Sequence, residues 1–407
     1  MSCSSRPERG HRVTSNDCQV AVVGAGPAGL VAALSLHARG LRPQVLEARA
    51  PQEPVPGSRA LFVHHESMSA IDSVSPGTGQ RISDIGIMWS GRATWYAGRQ
   101  VFGRRDGGAE YHGGGIAPYA SLPQSRTVEI LRQACDQLDI PIRMSTTVKG
   151  VRPGSDRVVI DTEAGPVHTE YVIAADGARS AVRKAVGIDL TGPRLDGYHV
   201  VVDVMPDSAE KRPTERILHY RVPDFGGRNL LVIPFAGGFQ LDVQAKSQQE
   251  AKRLEDVAAW LPRVVPHVSM DEVTWVSTYR FSSVVADSMT DASGRVLLVG
   301  EAAHLFPPFG ARGMNSAIAD SDAAAAAVAL DTRSGGTAGV ARFASSRLPA
   351  ARINAKAAAR GFRVLHSNRR MRAMQWAAAR ASHLTQRAGQ WLEDAPYSTS
   401  ARAGGRY

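Results

Sequence analysis

Cysteine is nearly missing from this chain: there are three in 407 residues, Cys3, Cys18 and Cys135, at unrelated spacings. That excludes a disulfide framework and the CxxC redox and zinc motifs, and a reducing, cytoplasmic setting is the expectation. Long apolar runs are missing too. No segment approaches the roughly 20 consecutive apolar residues that cross a bilayer. The opening MSCSSRPERGHRVTSND lacks the apolar core of a secretory signal, so residues 1–17 are expected to form a disordered leader. Acids are missing from one stretch. Between Ala341 and Gln390 there are 11 Lys or Arg and no Asp or Glu, in a chain whose 48 basic and 38 acidic residues give a net charge of +10. A basic tail of this kind can meet nucleic acid, an anionic membrane or an acidic protein. It carries no nucleic-acid fold signature, and Trp376 and Trp391 are too sparse for a stacking platform, so no nucleic-acid partner is expected. A solvated face is the preferred reading, with membrane contact as the alternative. His64-His65-Glu66 is too tight for a metal triad, and no metal is expected.

The remainder is ordinary globular protein, 43% hydrophobic and 21% charged, long enough for one large or two intimate domains. CQVAVV (18–23) is a short apolar run suited to a buried parallel strand. It breaks into GAGPAG, continues with helical periodicity from Leu30 to Arg39, stops at Gly40 and resumes as a strand in PQVLEA. Residues 61–75 and 125–139 are expected to be helical, and 84–102, 142–151, 157–161 and 169–176 to supply strands. Four further candidates, 198–204, 215–222, 229–235 and 239–244, follow one another across turns, which predicts an antiparallel sheet. RVLLVG (295–300) returns to the buried parallel type, an Ala-rich helix runs from about Met314 to Asp331, and the tail from Thr337 is helical, with 396–407 frayed.

Gly24, Gly26 and Gly29 form GxGxxG between a strand and a helix. The first glycine permits a tight turn, the second close approach of a pyrophosphate, and the third close packing of helix on strand. The helix start, with Ala25, Pro27 and Ala28, then offers free amides and a positive dipole end to the phosphates. Glu47 ends the second strand 18 residues after Gly29, where a carboxylate accepts ribose hydroxyls and disfavours a 2′-phosphate. A dinucleotide site is expected here.

Two later segments resemble motifs of the FAD-dependent aromatic hydroxylases, the class A flavoprotein monooxygenases of the para-hydroxybenzoate hydroxylase type. These are YVIAADGARSAVR (171–183) and RVLLVGEAAHLFPPFGARGMNSAIADS (295–321). The resemblance runs from about Gln19 to Asp331. It implies an α/β fold with a Rossmann-like FAD-binding domain, an interleaved antiparallel-sheet substrate domain and a C-terminal helical segment. The FAD domain would comprise 18–190, with strands of 84–102 lent to the substrate sheet, and 284–331. The substrate domain would be 191–283 and the basic helical segment 332–407. FAD would be the cofactor, held by Gly24 to Gly29, Glu47, Ala48, Arg59, Gln124, Val148, Asp176, Gly177, Gly300, Glu301, Pro308, Gly313, Met314 and Asn315. Glu301 departs from the family's Gly-Asp pair by one methylene, and FASSRLPAAR (343–352) is only a remnant of the usual tail pattern.

On this resemblance NAD(P)H is a transient co-substrate, and a flavin hydroperoxide formed with O2 hydroxylates a small phenolic, aromatic acid or amine substrate. NADH and NADPH are not distinguished. In ILHYRV (217–222), strand alternation puts His219 and Arg221 on one face and Tyr220 on the other, and any of them is a candidate to orient the substrate. Phe235 and Gln240 are weaker candidates, whereas the motif sets Pro308 beside the flavin. His304 is expected to make a structural hydrogen bond. No second GxGxxG, no CxxxxC and no WxWxIP is present, which disfavours disulfide reductases and halogenases. An N-oxygenase, a reductase and an inactive FAD-holding scaffold stay open, as do monomer and homodimer.

Overall fold

A computed structural model describes residues 18–53, 61–105 and 114–397. The expected leader, Arg59 and the end of the expected frayed segment lie outside the described residues. From the N-terminus come β1 (Cys18–Val23), α1 (Pro27–His37), β2 (Pro43–Leu46), β3 (Phe62–His64), α2 (His65–Val74), α3 (Thr78–Ile85), β4 (Gly91–Tyr96) and β5 (Arg99–Arg105). They are followed by β6 (Tyr119–Ser121), α4 (Gln124–Gln137), β7 (Ile142–Arg143), β8 (Val148–Pro153), β9 (Val158–Thr162), β10 (Gly165–Ala174) and α5 (Ala181–Ala185). The middle of the chain gives β11 (Leu190–Thr191), β12 (Arg194–Val204), β13 (Glu215–Val222), β14 (Arg228–Phe235), β15 (Gly238–Ala245), α6 (Gln248–Leu254), α7 (Leu261–Val264) and β16 (Val273–Ser282). Last are β17 (Val284–Ala286), β18 (Val296–Leu298), β19 (His304–Leu305), α8 (Arg312–Ser334), α9 (Ala338–Leu365), α10 (Arg369–Ala381) and α11 (Gln386–Asp394).

Two large sheets organise these elements. In the first, β7, β2, β1, β10 and β18 run parallel, and β9 and β8 extend it antiparallel. Its central strands are buried on both faces (Val20, Ala21 and Val22 are fully covered), which is why CQVAVV reads as an unbroken apolar run. α1 and α8 pack together against its core.

The second sheet has the order β16-β12-β15-β14-β13-β4-β5. The four strands expected to form an antiparallel sheet pair antiparallel, β12 with β15, β15 with β14 and β14 with β13, and the expected loan from 84–102 arrives as β4, which lies parallel to β13. A strand from the first quarter of the chain thus joins strands formed more than a hundred residues later. One correction concerns 61–75, where the chain makes the short strand β3 before α2 begins. Phe62 and His64 alternate with buried Val63, a period of 2 that the longer helical pattern after it conceals.

Candidate cofactor and substrate site

The parallel strands β1 and β10 end side by side, Val23 opposite Ala174, and the glycine turn leaves from that edge. Gly24 has φ +102°, and a Cβ there would lie 2.5 Å from the Ala175 carbonyl oxygen. A Cβ on Gly29 would lie 1.8 Å from the Gly24 oxygen, so this position allows the helix to sit on the strand. Gly26 differs: a Cβ there would meet nothing within 4 Å, and no side chain caps α1. The open space in front of Gly26 and the uncapped amides behind it form a cradle for a diphosphate.

Glu47 is buried at the end of β2. Its Oε2 accepts a hydrogen bond from the Ala25 amide at 2.6 Å, and its Oε1 accepts from the Arg49 amide and Nε, each at 3.0 Å. Burial raises its pKa, but the bonds from Arg49 and Ala25 outweigh that and hold it below the usual carboxylate value, so it is ionised at neutral pH. Oε1 thus has both acceptor positions taken, whereas Oε2, with one bond, keeps a second position for a ribose hydroxyl. Backbone bonds from Glu47 N to Arg143 O and from Thr146 N to Glu47 O bring the segment leading to Val148 alongside, and Ala48 is exposed next to it. Gln124 is the first residue of α4, which packs on α1. Substituting Glu47 by alanine removes a charged acceptor worth about 1.5–3 kcal/mol. FAD affinity is expected to fall roughly 10- to 150-fold, read by flavin fluorescence titration.

Asp176 follows β10. Its Oδ2 accepts from Val182 N at 3.1 Å, while its Oδ1 is buried with no hydrogen-bond partner among the described residues. A buried acceptor left this way is costly unless a ligand satisfies it. Together with the space at Gly26, this atom shows that the residues present fit an adenine dinucleotide. Gly177 supplies the left-handed turn that follows, at φ +76°. Arg183, which the sequence reading passed over, donates to the Ala302 oxygen at 3.1 Å and so ties this motif to the turn carrying Gly300 and Glu301.

Gly300 has φ +58° and is wedged between Ala28 of α1 and Ala317 of α8, its would-be Cβ 3.2 and 3.1 Å from theirs. Glu301 is exposed. Behind the turn lies a buried ionic cluster. His304 Nε2 and Asp320 Oδ2 are 2.6 Å apart, and Arg347 Nε donates to Asp320 Oδ1 at 2.7 Å. Phe306 stacks on the His304 ring. The structural hydrogen bond expected of His304 is therefore present, and the remnant in the tail contributes Arg347. Burial raises the Asp320 pKa, but the opposing pull of His304 and Arg347 prevails and lowers it.

Pro308 is exposed and Phe309 buried. The loop then turns through left-handed Gly310 and Ala311 (φ +81° and +53°) into α8, which has no side-chain cap. The first amides of this 23-residue helix, including those of Gly313 and Met314, are therefore available to negative charge. The Asn315 side chain is engaged elsewhere: its Nδ2 donates to Phe62 O and Ala311 O, and its Oδ1 accepts from His64 N. Asn315 thus clamps β3 to α8, and only its backbone could serve a flavin.

The two faces of the second sheet differ in chemistry. One carries Val200, Val202, Leu230, Phe239, Leu241 and Val243 and packs on α6, α7 and Trp260. The other carries His199, Asp203, Arg216, Gln240 and Asp242, all buried, and packs through Leu218, Tyr220 and Leu231 against Phe309 and the C-terminal helices. His199 Nδ1 lies 2.6 Å from Asp242 Oδ1 and its Nε2 2.9 Å from His366 Nε2, and its ring is 5.8 Å from Phe309. Arg216 donates to Glu393 and to the Tyr397 hydroxyl. Gln240 donates to Asp203 at 2.8 Å. Phe62, Trp89 and Tyr119 pack into an aromatic group at the junction of the sheets, with Trp89 Nε1 donating to Pro234 O and the Arg216 guanidinium 5.9 Å from the Trp89 ring.

This arrangement revises the substrate candidates on β13. Arg221 does not share a face with His219, because a bulge between His219 and Val222 interrupts the alternation and leaves Arg221 exposed at φ +55°. His219 pairs with Leu230 on the side away from Phe309 and lies against Trp95. Tyr220 is on the Phe309 side, but its hydroxyl donates to Leu392 O beneath α11. Of the weaker candidates, Gln240 lies on the polar face, and Phe235 is buried at the end of β14. The missed residues carried a readable signal. In HVVVDV and FQLDVQ the polar residues recur at even spacing, and period 2 places them on one side.

Burial lowers the His219 pKa to about 4, and burial together with neighbouring His199 lowers that of His366 to about 3, against an ordinary value of 6.5. Between those values and 6.5 the unfolded chain binds protons that the folded chain does not, so stability rises with pH there. The protein is expected to lose stability as the pH falls below about 6.5, with most of the loss by pH 4. His366→Gln should flatten the slope in urea unfolding measured across that range.

A model of the family described as "FAD binding domain" matches residues 17–358. A flavin-dependent monooxygenase of Mycobacteroides abscessus is 28% identical over 336 residues, covering 74% of this chain and 65% of the relative. The 12-dehydrotetracycline 5-monooxygenase/anhydrotetracycline 6-monooxygenase of Streptomyces rimosus is 31% identical over 318 residues, 74% of this chain and 60% of that protein. The chain thus spans less than two thirds of the length of these curated relatives. Among solved structures, p-nitrophenol 4-monooxygenase PnpA of Pseudomonas putida has a similar fold, with a TM-score of 0.76 at 22% identity over 96% of this chain and all of that one. The monooxygenase PieE, solved with FAD and substrate, gives 0.78 at 22% identity over 97% of this chain and 75% of PieE. The glycine cradle, the buried acceptor of Asp176 and the uncapped start of α8 thus agree with a match covering most of the sequence: the chain belongs to the FAD binding domain family, that of the flavin-dependent aromatic monooxygenases.

Proposed function

We propose that this protein hydroxylates a small aromatic substrate, using NAD(P)H and O2 and releasing NAD(P)+ and water. The observation that carries the reading is the buried polar stripe His199, Asp203, Arg216, Gln240 and Asp242, on the sheet face turned toward the Pro308–Phe309 loop. A sheet that served only as packing would present the same valines and leucines there as on its other face.

FAD, when bound, supplies hydride acceptance and oxygen activation. The chain supplies the remainder. The amides behind Gly26 would hold the diphosphate, Glu47 and Asp176 would accept from hydroxyls of the dinucleotide, and the amides opening α8 would favour negative charge on the ring system. Phe309, Phe281 and Phe362, gathered around His199, exclude water from the inner face. A single proton lies between the Nε2 atoms of His199 and His366, since one must donate and the other accept. A phenol or aromatic amine that takes the place of His366 at His199 Nε2 would give up its proton there and so gain nucleophilicity, with Asp242 holding the ring by its other nitrogen.

The test is to purify the flavin-loaded protein, screen phenols, aromatic acids and amines for stimulated NAD(P)H oxidation, and follow oxygen-18 from O2 into product. Stimulation with label in a ring hydroxyl is expected. Label on nitrogen would move the assignment to an N-oxygenase, turnover without label to a reductase, and no turnover with any substrate to a FAD-holding scaffold.

A further inference from the structure

The basic tail forms three helices, and its middle one, α10, has two unlike sides. Gln375 and Ala379 face inward and are buried, Gln375 donating to the Val364 oxygen. Outward stand Arg369, Arg370, Arg372 and Arg380, all exposed, with Met374 and Trp376 each just over half exposed. Beyond the helix, Leu384 is 91% exposed. Arg380 lies 5.0 Å from the centre of the Trp376 ring, one turn before it on the same face. None of these four arginines makes an ion pair with a described residue, and the surrounding stretch from Ala341 to Gln390 contains no acid to supply one.

We propose that the outer face of α10 docks the protein onto an anionic lipid surface. The argument rests on the combination of charge and shape. Guanidinium groups at this density, without an ion-pair partner among the described residues, are attracted to negatively charged headgroups and repel a second copy of the same face. The apolar side chains protrude singly between them instead of forming a groove or flat patch. A matched protein partner needs a continuous surface, whereas a fluid interface accepts isolated protrusions. Tryptophan is favoured at the headgroup boundary, and arginine can lay its stem along apolar material while its charge stays wet. An amphipathic helix with this division lies in the plane of the interface. The inner side of the same assembly covers the polar sheet face, since α11, packed on α10, seats Leu392 over Tyr220.

The experiment uses the full-length, flavin-loaded protein with phosphatidylcholine vesicles, with and without phosphatidylglycerol. Co-sedimentation with the anionic vesicles alone is expected, weakened by salt, with a blue shift of tryptophan emission that Trp376→Ala removes. The triple variant Arg369→Gln, Arg370→Gln, Arg372→Gln should bind on the order of a hundredfold more weakly, at about fivefold for each charge. Unchanged flavin content in both variants checks that they are folded. No binding to anionic vesicles at low salt overturns the proposal, as does equal binding to the neutral vesicles. Binding that both variants retain places the contact elsewhere and also overturns it. Retention on a soluble polyanion such as heparin, undiminished by Trp376→Ala and without vesicle binding, would assign an acidic macromolecule instead.

Discussion

Asp320→Ala is expected to destabilise the protein by about 3–5 kcal/mol, the usual consequence of breaking a buried ionic cluster by removing one member. The carboxylate is fully buried and serves three partners: His304, Arg347 and, at 3.3 Å, the amide of Gly300. Its loss removes the ion pair of buried Arg347 with Asp320 and uncouples α9 from the turn that carries Glu301. Asp320→Asn, which keeps the shape and part of the hydrogen bonding, should lose less. The lowered pKa gives the effect a pH signature. Because the folded group ionises more readily than in the unfolded chain, its stabilisation is present above the ordinary carboxylate value of 3.8 and disappears as the pH falls through the folded value. The difference between wild type and Asp320→Ala in urea unfolding should therefore be full at pH 7 and shrink below pH 3.8. A gap below about 1 kcal/mol at neutral pH would mean that the cluster behaves like a solvated surface pair.

Gly29→Ala and Gly26→Ala should fail in different ways, although both add the same methyl group to the same turn. At Gly29 the methyl would occupy the Gly24 carbonyl oxygen's position, 1.8 Å away, so α1 must move off the strand. A loss of about 3 kcal/mol or more is expected, at the upper end for overpacking. At Gly26 the backbone is ordinary (φ −77°) and the methyl meets no protein atom within 4 Å. The flavin-free protein should be as stable as wild type or gain about 0.4–1 kcal/mol from reduced freedom of the unfolded chain. Its FAD affinity should nevertheless fall roughly 5- to 150-fold, because the methyl fills the space proposed for the diphosphate. Thermal unfolding with and without added FAD separates the cases. A Gly26→Ala protein that retains full affinity would show that the diphosphate lies elsewhere.

The parallel half of the molecule was legible because its signals are local. A run of buried valines, a glycine turn whose three positions have distinct steric requirements, and an acid at the end of the next strand all fall within about thirty residues. Long-range partners were much less legible. Nothing near Asn315 announces that its amide will hold Phe62 and His64, and Arg347 acquires its role only when α9 crosses α8. On β13 the period-2 rule was correct up to Tyr220 and failed at Arg221, where a bulge absorbs one residue. The even-spaced polar residues of β12 and β15 carried more information than the conspicuous His-Tyr-Arg run. They contradict the apolar filling that a buried strand otherwise requires.

The pairing of β4 with β13 has a consequence for how this protein can be made and cut. The second sheet has local hairpins in β4–β5, β13–β14 and β14–β15, but it cannot close until β4 meets β13, more than a hundred residues later, and that long-range step should slow its assembly. A fragment beginning at β12 would expose the bare edge of β13, an invitation to aggregate. Swapping that sheet for a relative's as a contiguous cassette should therefore give insoluble product unless β4 and β5 travel with it.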